Sequence, residues 1–303
     1  MLKIFLKFFN KKRYISEKIE KNKSIWHKKY ASLIQPEIKK NSFVLKNKNE
    51  ISFLHSGQIG DIINSLALVK KIAENKTCNF YLEVDKPMPT DVDNKNKYYS
   101  QYFISREVSE KLIPLLKKQK FIKTVAIYKN QEIDINLNFF RKMYSNFNID
   151  SVRWYFHLTG VHANLSEPYI EAENHDSFKN VITIMRSSRR QNNLIDYKFL
   201  NKYNNVFFLG LKDEYIELKK DINNLQFYNC KDFLELAMIL KNTKVFIGNL
   251  SFGFALAEAL KVPRLLESGP DFPLVYPNGK NGYDFYHQEH FEGLFEKLYN
   301  KIS

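Results

Sequence analysis

Apolar and polar positions along this chain alternate between two rhythms. Short apolar runs have the length and β-branched content of buried strands: ISFLHS at 51–56, CNFYLEV at 78–84, TVAIYK, NVITIMRS at 180–187, NVFFLG, LQFYN and KVFIGN. Between them lie segments of helical spacing. In INSLALVKKIAE the residues Ile62, Leu66, Val69 and Ile72 share one face; in DFLELAMILKN the residues Phe233, Leu236, Ala237 and Leu240 do the same. SREVSEKLIPLLKKQ predicts a helix capped by Ser105, DEYIELKKDI another, and shorter helical turns are expected over WYFHLTG and near 196–202. Strands alternating with helices predict parallel sheets joined by crossovers.

The rhythm is interrupted twice. PTDVDNKNKYY is too hydrophilic to be buried and reads as a loop. ANLSEPYIEAENHDSF is polar and acidic, contains Pro168, and is the expected interdomain linker. The organisation is then a basic extension over 1–48, a first domain over 49–164, a linker over 165–179 and a second domain over 180–303. The fold class is α/β: two Rossmann-like domains with parallel sheets facing a central cleft.

Composition narrows the function without choosing it. The 303 residues are 44% hydrophobic and 26% charged, as in an ordinary globular protein. Cys78 and Cys230 have neither ligand spacing nor a disulfide framework, and suit free thiols in a reducing cytoplasm. A net charge of +14 implies attraction to polyanions. No nucleic-acid-binding motif accompanies that charge. No apolar run is long enough to span a bilayer. Leu2, Ile4, Phe5, Phe8 and Phe9 form one face of a basic amphipathic helix, suited to an anionic membrane surface or to packing on protein. The stretch with Lys21, Lys23, Lys28 and Lys29 reads as a solvated connector.

Candidate chemistry sits where strands end, because ligands of open parallel sheets bind beyond the carboxyl ends of the strands. After the first strand comes Gly57-Gln58-Ile59-Gly60-Asp61, whose glycines permit a tight turn. Asp61 is placed as a general base, or as a helix N-terminal acid favoured by the dipole. Beyond VITIM stand Arg186, Arg189 and Arg190, a diphosphate clamp or a solvated basic loop. Gly210 closes the strand NVFFLG and joins the candidate donor side. The segment 245–270, VFIGNLSFGFALAEALKVPRLLESGP, carries the strongest signal: a strand, a helix entered through Ser251, and a second strand. A helix N-terminus at a strand's end suits a phosphate. Asn249 and Ser251 lie at that entry; Glu258 and Glu267 could accept hydrogen bonds from sugar hydroxyls or pair with a nearby base. His55, His157 and His162 lack metal-ligand spacing, and Tyr283, Phe285 and Tyr286 suit aromatic packing.

Two segments together resemble the heptosyltransferase-like family 9 glycosyltransferases of GT-B fold. SGQIGDIINSLALVKKI is similar to that family's glycine-aspartate turn and following helix. DFLELAMILKNTKVFIGNLSFGFALAEALKVPRLLESGP is similar to its helix, Gly-Asn strand, helix and Val-Pro strand. The chain departs where the family has Asp-Ser-Gly followed by a histidine; here Leu250-Ser251-Phe252 and Ala255 stand instead. The resemblance implies a nucleotide-sugar donor in the second domain and a glycan or glycolipid acceptor facing the first. It implies inverting transfer with Asp61 as base, and neither metal nor cofactor beyond the donor. The free thiols suit a cytoplasmic setting, and the basic surface favours anionic acceptors or the inner membrane face. A nucleotide-sugar epimerase of the same architecture and a non-catalytic glycan- or nucleotide-binding module are the alternative readings.

Overall fold

A computed structural model of the chain describes residues 10–88, 101–142, 149–269 and 275–301. The first five apolar residues singled out above, Leu2 to Phe9, and the PTDVDNKNKYY loop lie outside the described residues. The chain enters on a long helix, α1 (Lys11–Asn47), with Asn10 capping Arg13 N. The expected connector is therefore helical. Its second half explains this: Ile34 and Asn41 are buried, and Asn41 Nδ2 donates to Leu158 O at 2.9 Å. Tyr30 likewise meets the His157 ring. The first half leaves the body and has no buried side chain.

The first sheet follows: β1 (Glu50–His55), α2 (Ile59–Ala73), β2 (Thr77–Leu82), α3 (Arg106–Lys117), β3 (Thr124–Ile127) and β4 (Ile135–Asn136). A 3-10 turn (Leu137–Lys142) and α4 (Ser151–Thr159) complete this half. The strand order is β3-β2-β1-β4, all parallel, with Phe53 opposite Phe80 on one side and Ile135 on the other. Ser105 caps α3 through Val108 N as its position predicts. Gly160, at φ +72°, ends α4 in the left-handed conformation.

The second half holds β5 (Val181–Met185), a 3-10 turn (Lys198–Lys202), β6 (Val206–Phe208), α5 (Lys212–Lys219) and β7 (Gln226–Phe227). It continues with α6 (Phe233–Lys241), β8 (Thr243–Asn249), α7 (Phe252–Leu260), β9 (Arg264–Glu267), β10 (Gly282–Phe285) and α8 (Gln288–Lys301). Its six parallel strands run β10-β9-β8-β5-β6-β7. That is the doubly wound order, with its switch point between β5 and β8; the first sheet reverses between β1 and β4. Of the aromatics near the end, Phe285 packs as expected, stacking on Phe291 with ring centroids 4.2 Å apart, whereas Tyr286 is exposed.

The halves meet through helices rather than through solvent. Helix α2 packs on α7, and α3 on α6, so one apolar core runs from Phe53 and Leu66 into Leu236, Phe254 and Leu256. This explains why α2 and α7 are apolar nearly all round: each has a sheet on one side and the other helix opposite. Burying Phe254, Leu256 and Leu260 stabilises by roughly 1.5–3 kcal/mol each. Residues 165–179 have neither helix nor strand. They are held by Gln119, bonded to Glu171 N and O at 2.8 and 3.0 Å, and by Ala259 O, which accepts from Tyr169 N at 3.0 Å.

Candidate functional site

Ligands of open parallel sheets bind beyond the switch point, and here the carboxyl ends of β1, β4, β5 and β8 define one place. A cleft of about 280 Å³ lies there between the halves. Its first-half wall comprises Gln58, Gly60, Asp61 and Asn64 of the β1–α2 turn and α2, with Phe103, Ser151 and Trp154. The opposite wall is Arg189, Arg190, Leu250, Ser251 and Phe252. Gly60 stands where the walls touch: a Cβ there would lie 3.8 Å from Phe252 Cα.

The β1–α2 turn is set by backbone requirements. Gly57 has φ +95°, and a Cβ would come within 2.8 Å of Phe103 O, so a larger residue is strained and blocked. Gly57 N donates to His55 Nδ1 at 3.1 Å, leaving the His55 proton on Nε2. That nitrogen meets Tyr155 Oη at 3.0 Å, and Tyr155 in turn donates to Asp61 O at 2.8 Å. Burial, then the Arg141 charge, hold the His55 pKa well below its usual value; burial and then Asp61 raise that of Tyr155. Both rings stay neutral and serve as rigid support.

Asp61 itself is fixed by one oxygen. Oδ2 accepts from Arg141 Nη2 at 2.9 Å and from Gln58 N at 3.2 Å. Among the described residues Oδ1 accepts no hydrogen bond, and the side chain is 25% exposed. Arg141 follows β4 and ties both edges of the switch point. Its Nη1 donates to Asn138 Oδ1 at 3.0 Å, which also accepts from Ser56 N and Oγ; Nη2 also reaches Gly57 O. The guanidinium lies 4.5 Å from the ring centroids of Phe103 and Phe140. Sequence reasoning missed Arg141; its position just past a strand's carboxyl end was the available signal.

On the opposite wall, Ser251 occupies the N-cap of α7 with extended backbone, φ −150° and ψ 178°. Its Oγ is buried and makes no hydrogen bond among the described residues, although a serine there ordinarily caps the helix. Across the cleft Asn64 is its counterpart. Nδ2 donates to Ser151 Oγ at 2.8 Å while the buried Oδ1 has no partner among the described residues. The cleft thus has two acceptor oxygens, Asp61 Oδ1 and Asn64 Oδ1, on one wall, suited to a hydroxyl, and a helix N-terminus with the Ser251 hydroxyl on the other, suited to an anion.

The remaining expected residues have other occupations. Arg186 and Glu267 form a two-point ion pair, Nε–Oε2 at 2.7 Å and Nη2–Oε1 at 2.8 Å. Glu267 also accepts from Tyr197 Oη at 2.7 Å and Asn192 N at 2.6 Å, so neither side chain faces the cleft. Asn249 is wholly buried and braces the arginine loop, accepting from Ser187 N and donating to Ser187 O and Arg190 O. Glu258 points away from the cleft, into Arg264, Lys261 and Asn278 N. That is the pairing with a nearby base that its position also allowed. Gly210 is demanded by packing, since a Cβ would lie 2.7 Å from the Phe208 ring. Of the expected donor-side residues, Arg189 and Ser251 line the cleft. Phe252, in place of a glycine, turns its ring onto Phe233, with centroids 4.7 Å apart. Gly253 is packed against the Met185 side chain, where a Cβ would meet Sδ at 2.5 Å.

No protein-family model matches the chain, and no curated protein matches it in sequence. Solved structures do. The family 9 glycosyltransferase from Veillonella parvula DSM 2008 is 11% identical, with 87% of this chain and 92% of that one covered at a TM-score of 0.54. TibC, an iron-containing dodecameric glycosyltransferase of enterotoxigenic E. coli H10407, is 12% identical over 84% and 77%, with a TM-score of 0.52. The E. coli ADP-heptose LPS heptosyltransferase II is 11% identical over 83% and 99%, with a TM-score of 0.51. Two parallel sheets, a shared cleft and these matches make the chain a protein of GT-B fold, similar in structure to the family 9 glycosyltransferases.

Proposed function

We propose that the protein is an inverting glycosyltransferase that moves a sugar from a nucleotide-sugar donor to a hydroxyl of a glycan or glycolipid precursor. One observation carries the reading. Asp61 and the N-terminus of α7 face each other across a single cleft, at the switch points of the two sheets. The similar heptosyltransferase II is described as acting with ADP-heptose, which supports a nucleotide sugar of some kind.

The step is a displacement at the anomeric carbon. Asp61 Oδ1 takes the proton of the acceptor hydroxyl, whose oxygen bonds to the anomeric carbon as the bond to the donor phosphate breaks. The negative charge leaving on the nucleoside diphosphate falls to the N–H groups at the start of α7, to Ser251 Oγ, and to Arg189 and Arg190. Arg186, Asn249 and Glu267 shape the arginine loop from behind. No step in this reading uses a metal, and the setting is the cytoplasm.

Glu258 and Glu267, which a nucleotide-sugar epimerase would share with a transferase, are both committed to ion pairs and favour neither reading, so the assay separates them. To test the transferase reading, the protein is screened by thermal shift against nucleotide sugars, and the stabilising donor is then offered to candidate acceptors. Transfer by the wild type and its loss in Asp61→Asn support the reading. An Asp61→Asn protein of undiminished activity removes Asp61 from the base role. Donor turnover without any acceptor replaces transfer with epimerisation.

A further inference from the structure

Of the buried side-chain oxygens that make no hydrogen bond among the described residues, two belong to residues lining the cleft, Ser251 Oγ and Asn64 Oδ1. Ser251 stands at a helix N-terminus, which suits a phosphate. Asn64 has no part in the transfer step described above. It is 4% exposed and sits in α2 among the buried residues Ile62, Ile63, Leu66 and Ala67. A leucine of nearly the same size would suit that helix better and leave no polar atom to satisfy. Packing therefore does not account for an asparagine here.

The surrounding wall says what would meet it. Asp61 lies three residues earlier on α2, so the two side chains are neighbours on one face of the helix, roughly 5–6 Å apart at Cβ. Asn64 Nδ2 is taken by Ser151 Oγ at 2.8 Å, which leaves Oδ1, an acceptor, for a ligand. Asp61 Oδ1 is an acceptor too, so the ligand brings two donors side by side. No lysine or arginine lines this wall among the described residues; Arg189 and Arg190 stand on the opposite one. A phosphate or carboxylate next to the reacting hydroxyl would therefore face two acceptor oxygens without a cation. Trp154 also lines the wall, backed by Phe140 with ring centroids 4.8 Å apart, and its ring suits the C–H face of a pyranose.

We propose that Asn64 Oδ1 accepts a hydrogen bond from a second hydroxyl of the acceptor, the neighbour of the one that Asp61 deprotonates, so that the wall selects a neutral sugar ring with two adjacent free hydroxyls. Calling that sugar the acceptor rests on the transferase reading; the contact itself is a matter of binding. A ring that lacks the second hydroxyl leaves Oδ1 buried and unpaired, and is selected against for that reason.

The full chain is titrated with the methyl pyranosides of glucose, galactose, mannose and N-acetylglucosamine, and with their monodeoxy forms, by ligand-detected NMR. The same glycosides are then offered with the stabilising nucleotide sugar. At least one glycoside is expected to bind, and removing one particular hydroxyl weakens it ~10-fold. In Asn64→Leu the intact glycoside binds ~10-fold more weakly, the same deoxygenation costs nothing further, and the melting temperature stays level. A merely structural role for Asn64 would weaken intact and deoxy forms alike and leave their ratio unchanged. Should Asn64→Leu not fold, Ser151→Ala frees the amide to turn and is expected to narrow that ratio. No glycoside bound, a wild type indifferent to every deoxygenation, or a ratio unchanged in the variant overturns the proposal. Hydroxyl-selective binding lost in Asn64→Leu, with no transfer from any donor, upholds this contact and removes the transferase reading. Transfer that ignores the deoxygenation does the reverse.

Discussion

Arg141 grips Asp61 by one carboxylate oxygen, Nη2 to Oδ2 at 2.9 Å, and leaves the other turned to the cleft. The same guanidinium is held by Asn138 and the Phe103 and Phe140 rings, so the carboxylate inherits its orientation from a rigid support. Arg141→Gln keeps a polar side chain but loses the planar fork and its charge. Turnover with the donor found by thermal shift is expected to fall by roughly 10–100-fold, with donor affinity little changed and Arg141→Lys intermediate. Steady-state kinetics checks this; an unchanged kcat in Arg141→Gln means the grip does not position the base.

The ion pair between Arg186 and Glu267 invites a stability measurement. Glu267 is fully buried, and Arg186 packs over the Tyr197 ring with its guanidinium carbon 4.8 Å from the centroid. Arg186→Met leaves a buried carboxylate without its cation, which costs about 3–5 kcal/mol. Arg186→Met/Glu267→Gln recovers a good part of that loss, since no uncompensated charge is left. Urea denaturation of the three proteins decides. Equal stability of wild type and Arg186→Met would show that the arginine is held for a ligand instead.

Most of the architecture was legible because buried parallel strands and amphipathic helices leave short-range patterns. The β1–α2 unit and the stretch from α6 to β9 are visible in Ile62, Leu66, Val69 and Ile72, and in KVFIGN. Helix α1 was not. Its first half is dominated by lysines and touches little, and the Ile34, Ile38 and Leu45 stripe is interrupted by Pro36 and by Asn41. Site residues were harder, because position at a strand's end does not reveal what else is there. Arg186 and Glu258 sit where a ligand contact was expected, but Glu267 and Arg264 reach them first. Those partners are 81 and 6 residues away in sequence, and nothing local announces them.

Asp150 gives a pH-dependent prediction. It caps α4 through Val152 N and accepts from Asn278 Nδ2 at 3.3 Å, while burial raises its pKa above the ordinary value. A carboxyl with a raised folded pKa favours the fold most when protonated. Its contribution is full below the unfolded value near 3.8 and is lost as pH rises through the folded one. Asparagine caps a helix as well as aspartate does and carries no charge. Asp150→Asn is therefore expected to melt higher than wild type at pH 7, and the gap should close by pH ~3.5. A gap that is the same at both pH values would rule out desolvation of the carboxylate as its cause.

Ser251 separates a cap from a ligand contact. A serine that caps a helix costs about 1 kcal/mol when replaced by alanine, because an N–H loses its acceptor. Here Oγ is buried without a partner among the described residues, so Ser251→Ala removes a desolvated hydroxyl that does nothing for the free protein. The melting temperature of the free protein should stay level or rise. If the hydroxyl meets the donor diphosphate, the same substitution weakens nucleotide binding by roughly 5–10-fold, as loss of one hydrogen bond to a charged group would. Calorimetry of ADP or the stabilising nucleotide sugar, beside melting curves of the free proteins, measures both at once. A destabilised free protein with unchanged nucleotide affinity would return Ser251 to an ordinary capping role and move the phosphate site away from α7.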